Sequence, residues 1–176
     1  LKTSELKTYG ISLDMDLPES MTMLGRYTLL QEIFLNLIDN ARDAIRDARR
    51  SNGLIVIHGE ILPGDRLRIQ VSDNGAGIQR DNLTRVFDPF FSTKEVGKGT
   101  GLGLSLVHSI VTEHGGRITV ESDGLTFSRF ELEFSQVRIA PEAPKDRTRQ
   151  TSVLRILAVD DEPEILNILE HALGRR

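Results

Sequence analysis

A polar stripe on one predicted helix carries side chains that could bind a metal ion. Glu32, Asn36, Asn40 and Asp43 are spaced by four, four and three residues, so they lie along one side of an α-helix. Two carboxamide oxygens one turn apart, with a carboxylate nearby, suit a Mg²⁺ ion that keeps several waters and also binds phosphate oxygens. The same stripe could be the solvated margin of an ordinary amphipathic helix, and the helix alone leaves both interpretations open.

A second polar feature ends a predicted strand. Leu67, Ile69 and Val71 share one face of that strand, and Asp73 continues this face towards the core. An inward carboxylate requires a partner, because burying an unpaired charge is expensive. A purine amino group could be that partner, with the glycines of NGAG at 74–77 letting the backbone approach a ring. Asp73 could instead cap its own turn.

A glycine-rich segment, GKGTGLG at 97–103, leads directly into a second predicted helix. Glycine amides and a helix N-terminus present unpaired N–H groups and positive partial charge to an anion. The segment matches neither the GxxxxGK[ST] P-loop nor the GxGxxG dinucleotide fingerprint. Taken alone, it is either an anion-binding loop or a flexible connector.

The periodicity of apolar residues predicts the elements that must position these segments. Strict alternation predicts a strand at 9–17, and a helical period predicts a helix at 28–50 that Asn52-Gly53 ends. The other predicted elements are strands at 54–62, 66–72, 117–122 and 125–134 and a helix at 102–114. A predominantly antiparallel sheet with a few helices is an α+β arrangement.

Composition excludes several classes of function. The 176 residues carry a net charge of −4, and nothing in that balance directs the chain to nucleic acid. The absence of cysteine excludes disulfides, zinc–thiolate sites and a cysteine nucleophile. No apolar run approaches the ~20 residues of a membrane helix, and the N-terminus lacks a signal-peptide pattern. Because the chain begins without Met, we expect it to be part of a longer protein that could carry a membrane anchor.

Four segments in this order resemble the N, G1, F and G2 boxes of the sensor histidine kinase catalytic domain, within the GHKL ATPase superfamily. NLIDNA at 36–41 resembles the N box, DNGAGI at 73–78 the G1 box, FDPFFSTK at 87–94 the F box and GTGLGL at 99–104 the G2 box. The resemblance covers about residues 1–136. It implies a two-layer α/β sandwich of the GHKL (Bergerat) type, with a mixed sheet packed against a layer of helices and ATP beneath a mobile lid.

The resemblance also implies roles for individual residues. Asp73 would accept a hydrogen bond from the adenine amino group, while Asn36 and Asn40, the predicted catalytic residues, would lie by the phosphates and ligate Mg²⁺. A lid would span about 88–100, and the amides of 99–103 would hold the triphosphate. The other predicted nucleotide contacts are Gly75, Gly77, Lys94, Gly99, Thr100, Gly101, Leu102 and Gly103.

Two positions depart from the family pattern. Asp43 stands where many kinases carry a basic residue, so that phosphate contact cannot be transferred, and Lys94 or Lys98 is the expected replacement. The segment 125–130 is irregular against the usual Gly-Thr-x-Phe ending, which leaves the register of the last strand open.

The C-terminal segment ILAVDDEP at 156–163 resembles the first strand and acidic pair of a response-regulator receiver. In a complete receiver Asp160 and Asp161 would help to hold Mg²⁺, but the same residues could cap a helix. The predicted domains are a catalytic domain at 1–138, a linker at 139–152 and a truncated receiver at 153–176, which we expect to be inactive in phosphotransfer.

The function implied by the resemblance is that of an ATP- and Mg²⁺-dependent protein histidine kinase. It would donate the γ-phosphate to a histidine on a separate dimerisation domain of the same protein, for relay to a receiver aspartate. None of the four histidines has an H-box-like context, so no phosphorylated histidine is predicted here. The parent protein would be a homodimer acting on the cytoplasmic side.

Two other functions are considered. A self-contained GHKL ATPase is disfavoured because such relatives place a glutamate where Asn36 stands, and Glu32 is the only local substitute. A nucleotide-free docking module is disfavoured by the intact Asn40, Asp73 and G2 glycines.

Overall fold

The computed structural model describes residues 2–18, 21, 26–94 and 99–135, which form three helices and five strands. The helices are α1 (Lys2–Thr8), α2 (Tyr27–Asp47) and α3 (Gly103–Glu113), with a 3₁₀ turn at Arg80–Asn82. The strands are β1 (Ile11–Asp16), β2 (Gly53–Leu62), β3 (Arg66–Asp73), β4 (Arg117–Ser122) and β5 (Ser128–Ser135).

The five strands form one mixed sheet in the order β1-β2-β3-β5-β4. β1 runs parallel to β2, whereas the pairs β2-β3, β3-β5 and β4-β5 are antiparallel. A parallel pair requires a long crossover connection, and α2 lies within the connection from β1 to β2. The predicted α+β fold, a mixed sheet with a layer of helices, is confirmed.

The core lies between one face of the sheet and the helices. Alternate residues of β3 and β5, such as Val71 and Leu132, are buried there, as the period of a half-buried strand requires. α2 packs on α3, β2 and β3 and buries Ile33 and Leu37 at helical spacing. On the other face of the sheet, Arg68 bonds to glutamates of the neighbouring strands. Packing on the buried face therefore fixes the positions of β3 and β5, including the ends that carry Asp73 and Ser128.

α2 ends earlier than the sequence pattern predicted. The helix stops at Asp47 rather than at 50, and the left-handed residue beyond its last turn is Arg49 (φ 50°), so the prediction that Asn52-Gly53 ends it is wrong. The Arg50 amide donates to the Ile45 carbonyl (3.2 Å), a hydrogen bond typical of a left-handed helix end. None of the described helices, α2 included, is long and apolar enough to span a membrane.

Gly53 has a different reason to be glycine. It opens β2, and a Cβ there would lie 2.7 Å from the Ile45 side chain and 2.9 Å from that of Ile11. Gly53 was predicted to end the helix, whereas in the structure it leaves room for the close packing of α2 and β1.

The last strand begins at Ser128, three residues later than predicted. The Asp123 carboxylate accepts the Leu125, Thr126 and Phe127 amides and the Thr126 hydroxyl, so these residues form a loop. Those bonds, the hydroxyl first, hold the pKa of Asp123 below its ordinary value. The register left open by the sequence is now defined, because Ser128 pairs with Asp73 across β5 and β3.

Helix α1 was not predicted. Its seven residues are mostly polar, and its contribution to the core is Leu6, which is buried. A helix of two turns has no sustained period to detect, and its stability comes from packing on β1 rather than from its own sequence.

Candidate functional site

A cavity of about 650 Å³ opens between α2, the segment that follows β3, and the glycine-rich segment before α3. Eight of the predicted site residues line it: Asn36, Asn40, Gly77, Lys94, Gly99, Thr100, Gly101 and Gly103. Asp73 and Gly75 lie behind its wall, and Leu102 is 42% exposed outside it. Residues far apart in the chain therefore meet at one place.

α2 presents the Asn36 carboxamide to the cavity in a defined orientation. The Asn36 Nδ2 group donates to the Glu32 carbonyl of the preceding turn (2.8 Å). The Oδ1 atom is consequently directed away from the helix, towards Gly103 at the start of α3, where an added Cβ would lie 2.6 Å from it. The amide assignment follows from this hydrogen bond. Asn36 thus offers an acceptor oxygen where two elements converge on the cavity.

Asn40 lies one turn further along α2 and also lines the cavity. Its half-buried carboxamide makes no hydrogen bond to any other residue that the structure describes. A partly dehydrated amide without a partner is unfavourable until a ligand supplies one. No group of three or more carboxylate, histidine or cysteine ligands occurs among the described residues. Carboxamide oxygens are ligands that a Mg²⁺ ion accepts together with waters and phosphate oxygens.

Asp73 is the most buried charged side chain beside the cavity, at 6% exposure. One carboxylate oxygen accepts the Gly75 amide (2.8 Å) and the other accepts the Ser128 hydroxyl. Burial raises the pKa of Asp73 above its ordinary value, against the opposing effect of these two hydrogen bonds. Asp73 therefore caps its own turn, and it also points inward as the alternation of β3 predicted.

Ser128 stands between Asp73 and the cavity. It is 3% exposed, its register partner is Asp73, and it lines the cavity wall. A hydroxyl can donate to Asp73 and still accept a hydrogen bond from a ligand. Sequence reasoning missed Ser128 because its role depends on the β3–β5 register, which the irregular 125–130 segment had left open.

The turn after β3 is held against α2 by backbone contacts. The Ala76 amide donates to the Ala44 carbonyl (3.0 Å), and a Cβ on Gly75 would lie 2.6 Å from the Ala44 backbone. Gly77 has φ 69°, a left-handed conformation that favours glycine. These glycines bring the backbone close to α2 and form one wall of the cavity.

The glycine-rich segment is fixed at Gly101. The Phe90 amide donates to the Gly101 carbonyl (2.9 Å), Gly101 has φ 67°, and a Cβ there would lie 2.4 Å from the Phe90 backbone. The Leu102 amide donates to the Thr100 hydroxyl (3.3 Å). α3 then begins at Gly103 with no acidic residue in its first turn, so the positive end of the helix faces the cavity without a neutralising carboxylate.

Lys94 is a cation at the cavity wall. Its ammonium nitrogen lies 2.5 Å from the Asp43 Oδ2 atom. Burial opposes ionisation of Asp43, but hydrogen bonds from Lys94 and Arg42 outweigh it and lower the pKa of Asp43. Lys98, the other expected phosphate contact, lies outside the described residues, as do Asp160 and Asp161.

Other residues that sequence reasoning did not select complete the walls. They are Ala44, Asp47, Ala76, Ile78, Asn82, Val86, Phe91, Ser92, Thr93, Leu104, Ser128 and Phe130. Six of them, Ala76, Ile78, Phe91, Ser92, Thr93 and Leu104, lie within the G1, F and G2 segments without having been assigned a contact, and the other six lie outside the four segments. Glu32, in contrast, is exposed and does not line the cavity.

Comparison with protein-family models identifies residues 25–138 as matching the histidine kinase-, DNA gyrase B- and HSP90-like ATPase family. Among curated relatives, the sensor kinase CckA of Brucella abortus is 34% identical over 163 residues, which cover 81% of this chain and 17% of CckA. The histidine kinase/phosphatase NtrB of Rhodobacter capsulatus is 37% identical over 145 residues, covering 73% of this chain and 36% of NtrB. The chain thus spans well under half the length of either relative.

Solved structures show the same fold. The catalytic domain of the histidine kinase ThkA, in a nucleotide-free form, superposes with a TM-score of 0.64 at 29% identity, covering 76% of this chain and 84% of that domain. Full-length ShkA in complex with AMPPNP superposes with a TM-score of 0.66 at 24% identity, covering 79% of this chain and 28% of that one.

Proposed function

Because the chain belongs to the histidine kinase-, DNA gyrase B- and HSP90-like ATPase family, we propose that it is the ATP-binding catalytic module of a two-component sensor histidine kinase. One observation carries the proposal: a single cavity has a buried carboxylate behind one wall, and two asparagine amides with a glycine-rich segment at another. Such a cavity suits a ligand with a hydrogen-bonding ring at one end and a polyanion at the other.

The adenine ring would lie against the Asp73 side of the cavity. Asp73 keeps acceptor capacity beyond its bonds to Gly75 and Ser128, because an ionised carboxylate has about four lone-pair sites. The exocyclic amino group of adenine is a donor of the required kind. Ser128, at the cavity surface, would contact the ring edge, and Gly77 would leave room for it.

The phosphates would lie between α2 and the start of α3. Asn36 and Asn40 would provide oxygen ligands to Mg²⁺, with the phosphates and water completing its coordination. The amides of Gly99, Thr100, Gly101 and Gly103 and the positive end of α3 favour bound negative charge. The Leu102 amide would bind a phosphate only if it gave up its hydrogen bond to the Thr100 hydroxyl.

Positioning and charge neutralisation supply most of the catalysis in phosphoryl transfer. Bound ATP with Mg²⁺ would supply the γ-phosphoryl group and the neutralising charge. The cavity residues would hold the phosphates in place, orient the metal through Asn36 and Asn40, and limit water. No general base is needed from this domain if the incoming imidazole is neutral and already a nucleophile.

The remaining parts of the assignment concern the domain boundaries and the partners of the parent protein. The acceptor histidine would belong to a dimerisation domain of a homodimeric parent, on the cytoplasmic side, and the phosphate would pass to a receiver aspartate. Residues 1–138 would be the catalytic domain, 139–152 a linker and 153–176 the start of a receiver with Asp160 and Asp161 as its acidic pair. No nucleic-acid partner is proposed.

Steady ATP hydrolysis by this chain alone is the weaker candidate. Asn36 cannot act as a base, and the Glu32 side chain is exposed outside the cavity. A base must lie within hydrogen-bond reach of the water that it activates.

The proposal is tested by phosphotransfer in trans. The chain is incubated with Mg²⁺, γ-labelled ATP and a separately purified histidine-bearing dimerisation domain of a sensor kinase. We expect an acid-labile, alkali-stable label on the added domain, and its loss in the Asn40→Ala variant. Label transfer unaffected by Asn40→Ala, or release of phosphate at the same rate without the added domain, would contradict the proposal.

A further inference from the structure

An ion pair joins α2 to the cavity wall at the rim of the proposed nucleotide site. The Lys94 ammonium and the Asp43 carboxylate are 2.5 Å apart, with 30% and 22% of their side chains exposed. Lys94 lines the cavity and Asp43 does not. The charge that could meet a phosphate is therefore directed at a carboxylate on the neighbouring helix.

Lys94 is held along its length. Its amide donates to the Ser92 hydroxyl (3.2 Å), and its aliphatic stem passes over Gly99, where an added Cβ would lie 3.2 Å from the Lys94 Cδ atom. The side chain thus crosses from the end of the F box to α2, next to Gly99 of the glycine-rich segment. Because Lys94 lines the cavity, its ammonium lies at the cavity rim while it is paired with Asp43.

Asp43 has a second cationic partner that does not face the cavity. Arg42 donates to the Asp43 Oδ1 atom through Nε (3.1 Å) and a terminal nitrogen (2.9 Å), while Lys94 binds Oδ2. If Lys94 leaves, Asp43 remains paired. Loss of the only partner of a half-buried carboxylate would be costly, but loss of one of two is tolerable.

Arg42 is shared among several carboxylates. It donates to Asp39 (2.6 Å) and Glu5 (2.8 Å) as well as to Asp43. A phosphate that enters the cavity near Asp43 is repelled by that carboxylate unless Lys94 turns towards the phosphate.

We propose that Asp43 is a positioning residue that holds the Lys94 ammonium at the cavity rim, and that Lys94 exchanges Asp43 for a phosphate oxygen when a nucleotide binds. This inference rests on the proposed function, since it needs a nucleoside phosphate as the second partner. Asp43 thereby lowers the affinity for ATP while it keeps the Phe91–Lys94 segment in place in the nucleotide-free state.

The experiment measures two quantities on the full 176-residue chain. Amide hydrogen exchange of the Phe91–Lys94 segment is followed without nucleotide, and the affinity for ATP with Mg²⁺ is measured by calorimetry. The variants are Asp43→Asn, Lys94→Met and their combination. Glu113→Gln is the matched control, because it removes the same charge and breaks an ion pair of similar length (2.6 Å, to Arg26) whose residues do not line the cavity.

We expect faster exchange in Asp43→Asn than in wild type or Glu113→Gln. We also expect Asp43→Asn to bind ATP about 3- to 10-fold more tightly, because a partly exposed ion pair contributes a modest free energy that wild type must give up on binding. In the Lys94→Met background the same substitution should change the affinity by less than about twofold.

Four outcomes would overturn the exchange. Weaker ATP binding by Asp43→Asn would mean that Asp43 holds Lys94 in its binding position. If Asp43→Asn raised the ATP affinity by the same factor in the Lys94→Met background, Asp43 would act by simple repulsion of the phosphate. If no variant binds nucleotide, both proposals fall, whereas normal binding by wild type without a gain in Asp43→Asn overturns the exchange alone.

Discussion

Asp73 is a carboxylate that the fold keeps almost entirely out of water, beside the proposed adenine position. Its hydrogen bonds come from the Gly75 amide and the Ser128 hydroxyl, both neutral, and no cation is among them. Burial therefore dominates, and the pKa of Asp73 is raised. A residue that costs stability in the nucleotide-free state is typical of a site whose purpose is binding.

This cost has a measurable pH dependence. A raised pKa means that the folded chain holds the Asp73 proton more tightly than the unfolded chain, so the contribution of Asp73 to the free energy of unfolding falls as the pH rises from 3.8, the ordinary pKa of an aspartate, through the raised pKa of Asp73. Asp73→Asn removes the titration, and its amide can still accept from Gly75 and donate to Ser128. We expect the variant to have the larger free energy of unfolding at neutral pH.

The measurement is urea unfolding of wild type and Asp73→Asn between pH 3.5 and pH 8, values chosen to bracket the ordinary carboxyl range. The difference in free energy of unfolding between the variant and wild type should grow with pH and then level off. A variant less stable than wild type at pH 7 would show that the charge of Asp73 stabilises the fold.

Gly101 and Gly115 provide a matched test of the glycine-rich segment. Both have φ 67°, so Gly→Ala costs about 1 kcal/mol of backbone energy at either position. A Cβ on Gly101 would also collide with the Phe90 backbone at 2.4 Å, whereas nothing lies within 4 Å of one on Gly115. We expect Gly101→Ala to weaken ATP binding by about tenfold or more, and Gly115→Ala to leave it unchanged. Equal effects on affinity would refute the proposed role of this segment.

At the scale of elements, hydrophobic periodicity predicted the existence and type of α2, α3 and all five strands. It failed where a residue outside the element decides the boundary. Asp123 captures the amides that would have extended β5, and the packing of Ile45 and Ile11 explains Gly53. α1 was missed because two mostly polar turns carry no detectable period.

The alternation of β5 predicts a sharp contrast in stability between two leucines. Leu132 is fully buried between sheet and helices, and Leu132→Ala should reduce the free energy of unfolding by about 2–5 kcal/mol. Leu125 is 72% exposed in the preceding loop, and Leu125→Ala should change it by less than about 0.5 kcal/mol. Chemical denaturation of both variants is the test, and comparable losses would contradict the β5 register.

At the scale of the whole molecule, the candidate site forms where α2, the turn after β3 and the start of α3 converge. Eight of the predicted site residues line the cavity, and six of them are glycines or members of the helical polar stripe, whereas Lys94 and Thr100 were predicted from the resemblance to the F and G2 boxes. Ser128 and the Asp43–Lys94 pair could not be predicted in this way. Ser128 depends on strand register, and Asp43 with Lys94 depends on a contact between residues 51 positions apart.

Binding at such a junction should stabilise the fold as a unit. A ligand at 100 times its dissociation constant adds about 2.7 kcal/mol to the free energy of unfolding. We expect ATP with Mg²⁺ to raise the melting temperature of wild type, and chelation of the metal to remove most of that rise. In Asn40→Ala the rise should be small with or without chelation, and a full, metal-dependent rise would exclude Asn40 as a metal ligand.

The most direct test of the nucleotide site is calorimetric titration of ATP with Mg²⁺ into wild type and the folded Asp73→Asn variant. We predict binding by wild type and a loss of about 10- to 100-fold in Asp73→Asn, since a hydrogen bond to a charged acceptor is replaced by an unfavourable contact between two donors. Equal binding by the two proteins would contradict the proposed position of adenine, and no binding by either would contradict the proposed function.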